Sequence, residues 1–216
     1  MTQSNLGYSL SGDLSERKPL SSLYLSWQRM IDAVAGLTGT LVMFLLLPVL
    51  APLIYLDSPG PIFYCQRRVG YKGKIFSMYK FRSMHKDAER AGKAVWMYQG
   101  DPRITRVGRF LRVTHLDELP QALNILRGEM SLIGPRPERP EYASDLEKIN
   151  PLYRHRSSVK PGLTGWTQVM FGYGNSSEDE LIKLHYDLYY IEHQSLKLDA
   201  LIILKTIAEV VLCHGQ

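Results

Sequence analysis

Ala33-Val-Ala-Gly-Leu-Thr-Gly-Thr-Leu-Val-Met-Phe-Leu-Leu-Leu-Pro48-Val-Leu-Ala-Pro52-Leu-Ile-Tyr-Leu56 runs between Asp32 and Asp57 without one charged side chain. About 20 apolar residues are enough to cross a ~30 Å hydrocarbon core, so length permits a span. Pro48 and Pro52 argue against a straight one, because an interior proline removes a helical hydrogen bond and clashes with the preceding turn at ~3 kcal/mol unless the helix bends. The flanks agree: Arg17, Lys18 and Arg29 precede the segment and Arg67, Arg68, Lys72, Lys74, Lys80 and Arg82 follow it. Basic flanks favour the cytoplasmic side, so both ends prefer the same side. A helix of about 15 residues ahead of Pro48 reaches only ~22 Å at 1.5 Å per residue. A re-entrant helix–break–helix over residues 25–57 therefore satisfies charges and prolines together, and is preferred to a straight span. A signal peptide is disfavoured, since the segment begins late and no small-x-small cleavage site stands out.

At 216 residues the chain holds one domain with an ordinary core. Residues 1–24 are Ser-rich with little apolar content and read as a mobile or surface-lying tail. Residues 58–216 read as a cytoplasmic catalytic region forming one domain with the membrane helix. The balance of 26 Lys+Arg against 21 Asp+Glu, with pI near 9.1, suits a phosphate ligand, a nucleic acid or an anionic membrane surface and does not choose among them. Cys65 and Cys213 form no C-x-x-C pair, so neither a disulfide framework nor a zinc site is indicated and a reducing compartment is the default.

Ser58-Pro-Gly-Pro61 marks a turn, and Ile62–Cys65 and Lys74–Tyr79 read as two strands of a small hairpin joined through Gly70 and Gly73. Lys80-Phe-Arg82-Ser-Met84 alternates basic and apolar residues, as either a solvated strand edge or a ligand site would. Residues 85–95 read as a polar helix. Arg112-Val-Thr-His-Leu-Asp117-Glu118-Leu-Pro-Gln121 is the candidate active site, with Arg103, Arg106, Arg109 and Arg112 recurring every three residues ahead of two adjacent acids. Cations beside paired acids suit an anion and a metal, whereas Thr114 three residues before Asp117 suits a simple capping box. A helix continues over Leu119–Leu126 with Pro120 in its first turn. Ser131-Leu-Ile-Gly-Pro-Arg-Pro-Glu138 reads as a rigid extended turn, neither helix nor central strand, aiming Arg136 in one direction. Lys160-Pro-Gly-Leu-Thr-Gly-Trp166 is a second loop, either a packing turn capped by Trp166 or a ligand loop. From Glu178 the pattern is helical, and Leu196–Leu212 suits either core or an interfacial membrane helix.

Taken in order, Ser58-Pro-Gly-Pro-Ile-Phe-Tyr64 with Gln66-Arg67-x-x-Gly70, Lys80–Met84, Leu116–Gln121, Met130–Pro137 and Lys160–Trp166 resemble the bacterial sugar transferase family. These are the monotopic polyprenyl-phosphate phosphoglycosyl transferases that start exopolysaccharide, O-antigen and glycoprotein glycan assembly. The resemblance covers about residues 25–212, and Tyr186-Asp-Leu-Tyr-Tyr190 resembles the exopolysaccharide branch. It implies an α+β, mainly helical monotopic membrane protein with an N-terminal re-entrant helix–break–helix, a small β-hairpin and interfacial amphipathic helices, on the cytoplasmic face of the bacterial inner membrane. The implied reaction moves a phospho-sugar from a UDP-sugar to undecaprenyl phosphate and releases UMP. Asp117 matches the family's nucleophile and Glu118 its metal-associated acid, with Mg²⁺ as cofactor. Arg112 matches a phosphate-binding arginine and Pro135-Arg136-Pro137 a nucleotide-associated loop, and Lys80 and Arg82 are expected at the substrate. Besides membrane lipids, a second copy of the chain and downstream glycosyltransferases are partners to look for, and nucleic acid is not expected. One departure is Leu47-Pro48, late in the apolar segment, where many members have Ser-Pro nearer its middle. The sugar is not readable from the residues. A conventional nucleotide-sugar glycosyltransferase fits less well, since no Asp-x-Asp occurs.

Overall fold

The computed structural model describes residues 20–86, 88, 100–171 and 177–211. Residues 1–19 of the tail and most of the polar helix expected over 85–95 lie outside the described residues.

The first element, α1 (Ser22–Asp57), is a single helix of 36 residues. Ser21 caps it, its Oγ accepting from Tyr24 N at 3.2 Å. Pro48 and Pro52 both lie inside α1, so the break expected there takes no residue out of the helix. Each proline deletes one N–H donor within a helix that continues past it. At 1.5 Å per residue α1 is about 54 Å long. It is long and apolar enough to cross a membrane, with a mean hydropathy of 2.3 over its most apolar window.

Packing explains why α1 stays helical through two prolines. Near its start Tyr24 and Ile31 are buried, and Asp32 accepts from Ser131 Oγ at 2.7 Å and Leu132 N at 2.8 Å. In the middle, side-chain-free positions bring α1 against α3 (Gln121–Leu126). A Cβ on Gly36 would sit 2.9 Å from the Leu126 side chain, and one on Gly39 2.9 Å from Ala122 Cβ. Toward its end Met43, Leu50 and Ile54 join Phe81 and Leu111 in one buried cluster. Leu37, Leu41, Phe44, Leu45, Val49 and Leu56 remain exposed on α1. The helix is thus docked on the globular body from Tyr24 to Ile54, with apolar side chains left uncovered. Asp32→Ala would leave the Leu132 N–H and the buried Ser131 hydroxyl unpartnered, at about 1–3 kcal/mol. Thermal unfolding in detergent should show a midpoint lowered by several degrees, and an unchanged midpoint would show that water replaces the carboxylate.

Strands β1 (Phe63–Val69) and β2 (Ile75–Phe81) form the expected hairpin, antiparallel with Phe63 opposite Phe81 and Val69 opposite Ile75. Helix α2 (Arg106–Val113) follows, its start capped by Thr105 Oγ1 accepting from Gly108 N at 2.9 Å. Part of the stretch read as an extended turn proves to be strand. Ser131–Ile133 (β3) pairs in parallel with Gly162–Thr164 (β4), and the turn begins only at Gly134. Their ends approach so closely that a Cβ on Gly162 would lie 2.1 Å from Gly134 N, so glycine is required there. The second loop is therefore divided between β4 and α5 (Trp166–Met170).

Helices α4 (Pro140–Ile149), α6 (Ser177–Glu192) and α7 (Leu196–Val211) complete the α-helices among the described residues. Leu184, Leu188, Ile191 and Ile202 pack with Ile133 and Tyr153 in the largest buried cluster. The last helix contributes to the core through Ile202, while Leu204, Ile207 and Val210 are exposed. The described architecture is α+β and mainly helical, with two small two-stranded sheets.

Candidate active site

The acid pair owes its position to the way α2 ends. Thr114 Oγ1 donates back to Phe110 O at 2.8 Å and Leu111 O at 3.2 Å, so it caps nothing downstream and the capping-box reading fails. His115 follows with φ 57°, in the left-handed region. A residue other than glycine there carries about 1–3 kcal/mol of strain, which the packing on either side sustains. The turn it makes leads into one 3-10 turn, Leu116–Glu118, where Glu118 N donates to His115 O at 3.1 Å. Only after Pro120 does α3 begin, so the acids stand on a short turn between two helices, and not in a helix's first turn.

Three separate parts of the chain meet there. Lys80 reaches in from β2, its Nζ 2.6 Å from Glu118 Oε1 and 4.0 Å from Asp117 Oδ2. Arg136 arrives from the loop after β3, with Nη2 donating to Glu118 Oε1 at 2.5 Å and Nη1 to Oε2 at 3.4 Å. Asp117 is 6% exposed. Burial pushes the Asp117 carboxyl above its usual range and the Glu118 charge adds to this, with Lys80, Arg112 and Arg136 opposing. Burial works the same way on Glu118, but Arg136 and Lys80 outweigh it and hold that carboxyl far below its usual range. Adjacent carboxyls pushed in opposite directions are suited to different chemical roles.

Arg112 is held by Nε donating to Ser83 Oγ at 2.8 Å, and its charge acts on Asp117. The other arginines of the three-residue series do not converge with it. Arg103 clasps the buried Asp101, Nε to Oδ1 at 2.9 Å and Nη2 to Oδ2 at 2.5 Å, while Arg106 and Arg109 are exposed. Arg82 does not join the acids either: its buried guanidinium donates to the carbonyls of Ser58 and Ile54 and closes the end of α1. The spacing suggested a cluster, but the carbonyls left open where α1 stops take this guanidinium. Pro135 and Pro137 flank Arg136 as expected, and Pro135 O accepts from Gly162 N at 2.9 Å, which ties the loop to β4. Beside this loop lies a cavity of about 280 Å³ whose lining includes Arg136, Pro137, Glu138, Tyr153 and Arg154.

Two supporting residues escape a reading of the sequence. Ser83, which orients Arg112, sits in the alternating stretch without a signal of its own. Asn124 is fully buried on α3, with Nδ2 donating to Ser77 O at 2.8 Å and Oδ1 accepting from Tyr79 N at 3.1 Å. It fastens α3 to β2 one residue from Lys80, and a lone amide inside Ala-Leu-Asn-Ile-Leu was the available clue. Among the described residues no group of three or more His, Cys, Asp or Glu could hold a metal. The oxygens of Asp117 and Glu118 nonetheless suit Mg²⁺, which commonly takes one or two carboxylates and leaves its other positions to water and substrate phosphates.

Residues 23–213 match the family model for bacterial sugar transferases. The UDP-N-acetylgalactosamine-undecaprenyl-phosphate N-acetylgalactosaminephosphotransferase of Aeromonas hydrophila is 42% identical over 195 residues, 90% of this chain and 46% of the relative. The undecaprenyl-phosphate glucose phosphotransferase of Komagataeibacter xylinus is 40% identical over 202 residues, 89% of this chain and 37% of the relative. The UDP-glucose:undecaprenyl-phosphate glucose-1-phosphate transferase of Escherichia coli is 39% identical over 194 residues, 88% of this chain and 41% of the relative. This chain thus spans less than half the length of each of the three.

Proposed function

Because the chain belongs to the bacterial sugar transferase family, we propose that it transfers a phospho-sugar from a UDP-sugar to undecaprenyl phosphate and releases UMP. The observation that carries this reading is the acid pair: Asp117 buried and raised, Glu118 gripped by Lys80 and Arg136 2.5–2.6 Å away. In the first step an Asp117 carboxylate oxygen attacks the phosphorus that bears the sugar. An Oδ–P bond forms, the diphosphate P–O bond breaks, and its electron pair leaves on UMP. In the second step an oxygen of the lipid phosphate attacks the same phosphorus and Asp117 leaves as carboxylate. Lys80 and Arg136 neutralise phosphoryl charge throughout, and Arg136 with the adjacent cavity receives the nucleotide. Mg²⁺, bound through Glu118 and the substrate phosphates, would reduce repulsion between the anionic diphosphate and the attacking carboxylate. Glu118 Oε1 accepts from both Lys80 Nζ and Arg136 Nη2. Glu118 would hold the metal alongside these two cations, whose charges would serve the substrate phosphates.

The sugar stays open, since relatives named for glucose and for N-acetylgalactosamine are about equally similar. The product assay is direct: UDP-glucose and UDP-N-acetylgalactosamine are each supplied with undecaprenyl phosphate, and the released nucleotide is identified. UMP is expected, and UDP would assign the chain to conventional glycosyl transfer.

The proposed location is the cytoplasmic face of the bacterial inner membrane, with α1 entering the bilayer without crossing it. Docking of both ends of α1 on one body supports this, since Tyr24 approaches Tyr190 and Ile54 packs with Phe81. In a Cys65→Ser, Cys213→Ser background, single cysteines at Leu23 and Lys86 should both react with an impermeant maleimide only from the cytoplasmic side. Labelling of the Leu23 site from the outside would establish a span.

A further inference from the structure

The backbone of the loop that carries Arg136 is held in an unusual way. Four successive carbonyls each accept a hydrogen bond from a different donor outside the loop. Pro135 O takes Gly162 N at 2.9 Å, Arg136 O takes Arg156 Nη2 at 2.9 Å, Pro137 O takes Arg68 Nη1 at 2.9 Å, and Glu138 O takes Val69 N at 2.9 Å. The loop can offer few amides of its own, because two of these four residues are prolines. Its shape is therefore imposed by donors from β1, β4 and the 3-10 segment Pro151–Ser158, and two of those donors are arginine side chains.

Both arginines are themselves anchored. Arg156 donates through Nε to Asp187 Oδ2 at 2.7 Å and through Nη1 to the Tyr153 hydroxyl. Asp187, 1% exposed on α6, accepts in turn from Thr167 Oγ1 at 2.6 Å. Arg68 uses the same Nη1 on Glu138 Oε1 at 3.1 Å and donates through Nη2 to Gln66 Oε1. We propose that Arg156 and Arg68 are positioning residues for Arg136, clamping the carbonyls on and beside it so that its guanidinium meets Glu118. Arg156 also lines the cavity beside Arg136, but its three donor nitrogens are directed at Asp187, Tyr153 and the loop, so it is expected to act through Arg136 and not on substrate. An ammonium cannot reproduce this, since Lys has no planar fork that bridges three fixed acceptors.

The inference rests on the phosphoglycosyl transfer reading only for its kinetic arm. There, Arg156→Lys and Arg68→Lys should each lower kcat/KM for UMP release by about 10–100-fold, as a small misplacement of a binding group does. Combined with Arg136→Ala, neither should lower it further, because the group through which they act is gone. A loss that multiplies in the double variants would mean direct contact with substrate and overturn the proposal. The second arm needs no substrate: amide hydrogen exchange in peptides covering 134–139 should quicken at least tenfold in both variants, with the β1–β2 hairpin unchanged. If wild type transfers nothing, the functional reading fails and the exchange result alone decides the positioning role. Asp187→Asn, which keeps Arg156 and weakens its anchor, should show a smaller change of the same kind and serves if Arg156→Lys does not fold. Unchanged loop exchange in the variants overturns the inference.

Discussion

Asp117→Asn should abolish UMP release, with a loss of roughly 10⁴-fold or more, comparable to removal of other enzymes' covalent nucleophiles. The amide has the shape of the carboxyl it replaces, so the turn Leu116–Glu118 and the Lys80–Glu118 contact should persist. The folded protein is therefore expected with an unchanged cooperative melt, separating chemistry from stability. Incubation of wild type with UDP-sugar and no lipid acceptor, followed by peptide mass spectrometry, should find the phospho-sugar on Asp117 and none in the variant. A fully active Asp117→Asn enzyme, or a label on another residue, would sink the mechanism.

Glu118→Gln should be nearly as damaging for a different reason. A carboxylate with 15% side-chain exposure now binds two cations, and an amide can satisfy them only in part while presenting its own N–H₂ group. Lys80 and Arg136 then repel one another and lose their common anchor. We expect kcat to fall by about 10²-fold or more. The Mg²⁺ concentration for half-maximal rate should rise, so that added Mg²⁺ recovers part of the loss. A variant with normal Mg²⁺ dependence but depressed rate would leave Glu118 as an anchor for the two cations and remove it from the metal.

These residues could be singled out in the sequence because their chemistry is local. Two adjacent acids, an arginine between two prolines and a turn-bounded pair of strands each carry their signal within a few positions. What was illegible is non-local. Nothing near Ser131 or Gly162 announces that they pair across 31 positions, because three-residue strands have no readable period and both stretches look like turns. Arg82 reads like a substrate cation, and only the three-dimensional path shows that it meets the carbonyls of Ile54 and Ser58. The arginine series misled in the same manner: regular spacing suggested convergence, whereas a buried Asp101 takes Arg103 and a hydroxyl at Ser83 takes Arg112. The prolines of α1 predicted an interruption on local grounds, and contacts along the helix with α3, Phe81 and Leu111 compensate for the missing donors.

That docking of α1 also sets an order of events during translation. The ribosome makes α1 before the body it packs on, and Tyr190, the hydroxyl neighbour of Tyr24, emerges 166 residues later. At about 5–20 residues per second, the interval is roughly 8–33 s. Until Phe81, Leu111 and α3 have followed, the apolar helix lacks the protein surfaces it packs on, and its contact with Tyr190 forms last, so bilayer lipid serves as its first folding partner and the polypeptide body arrives second. Arrested nascent chains ending before α6 should accordingly already cofractionate with membranes, well before any catalytic pocket exists.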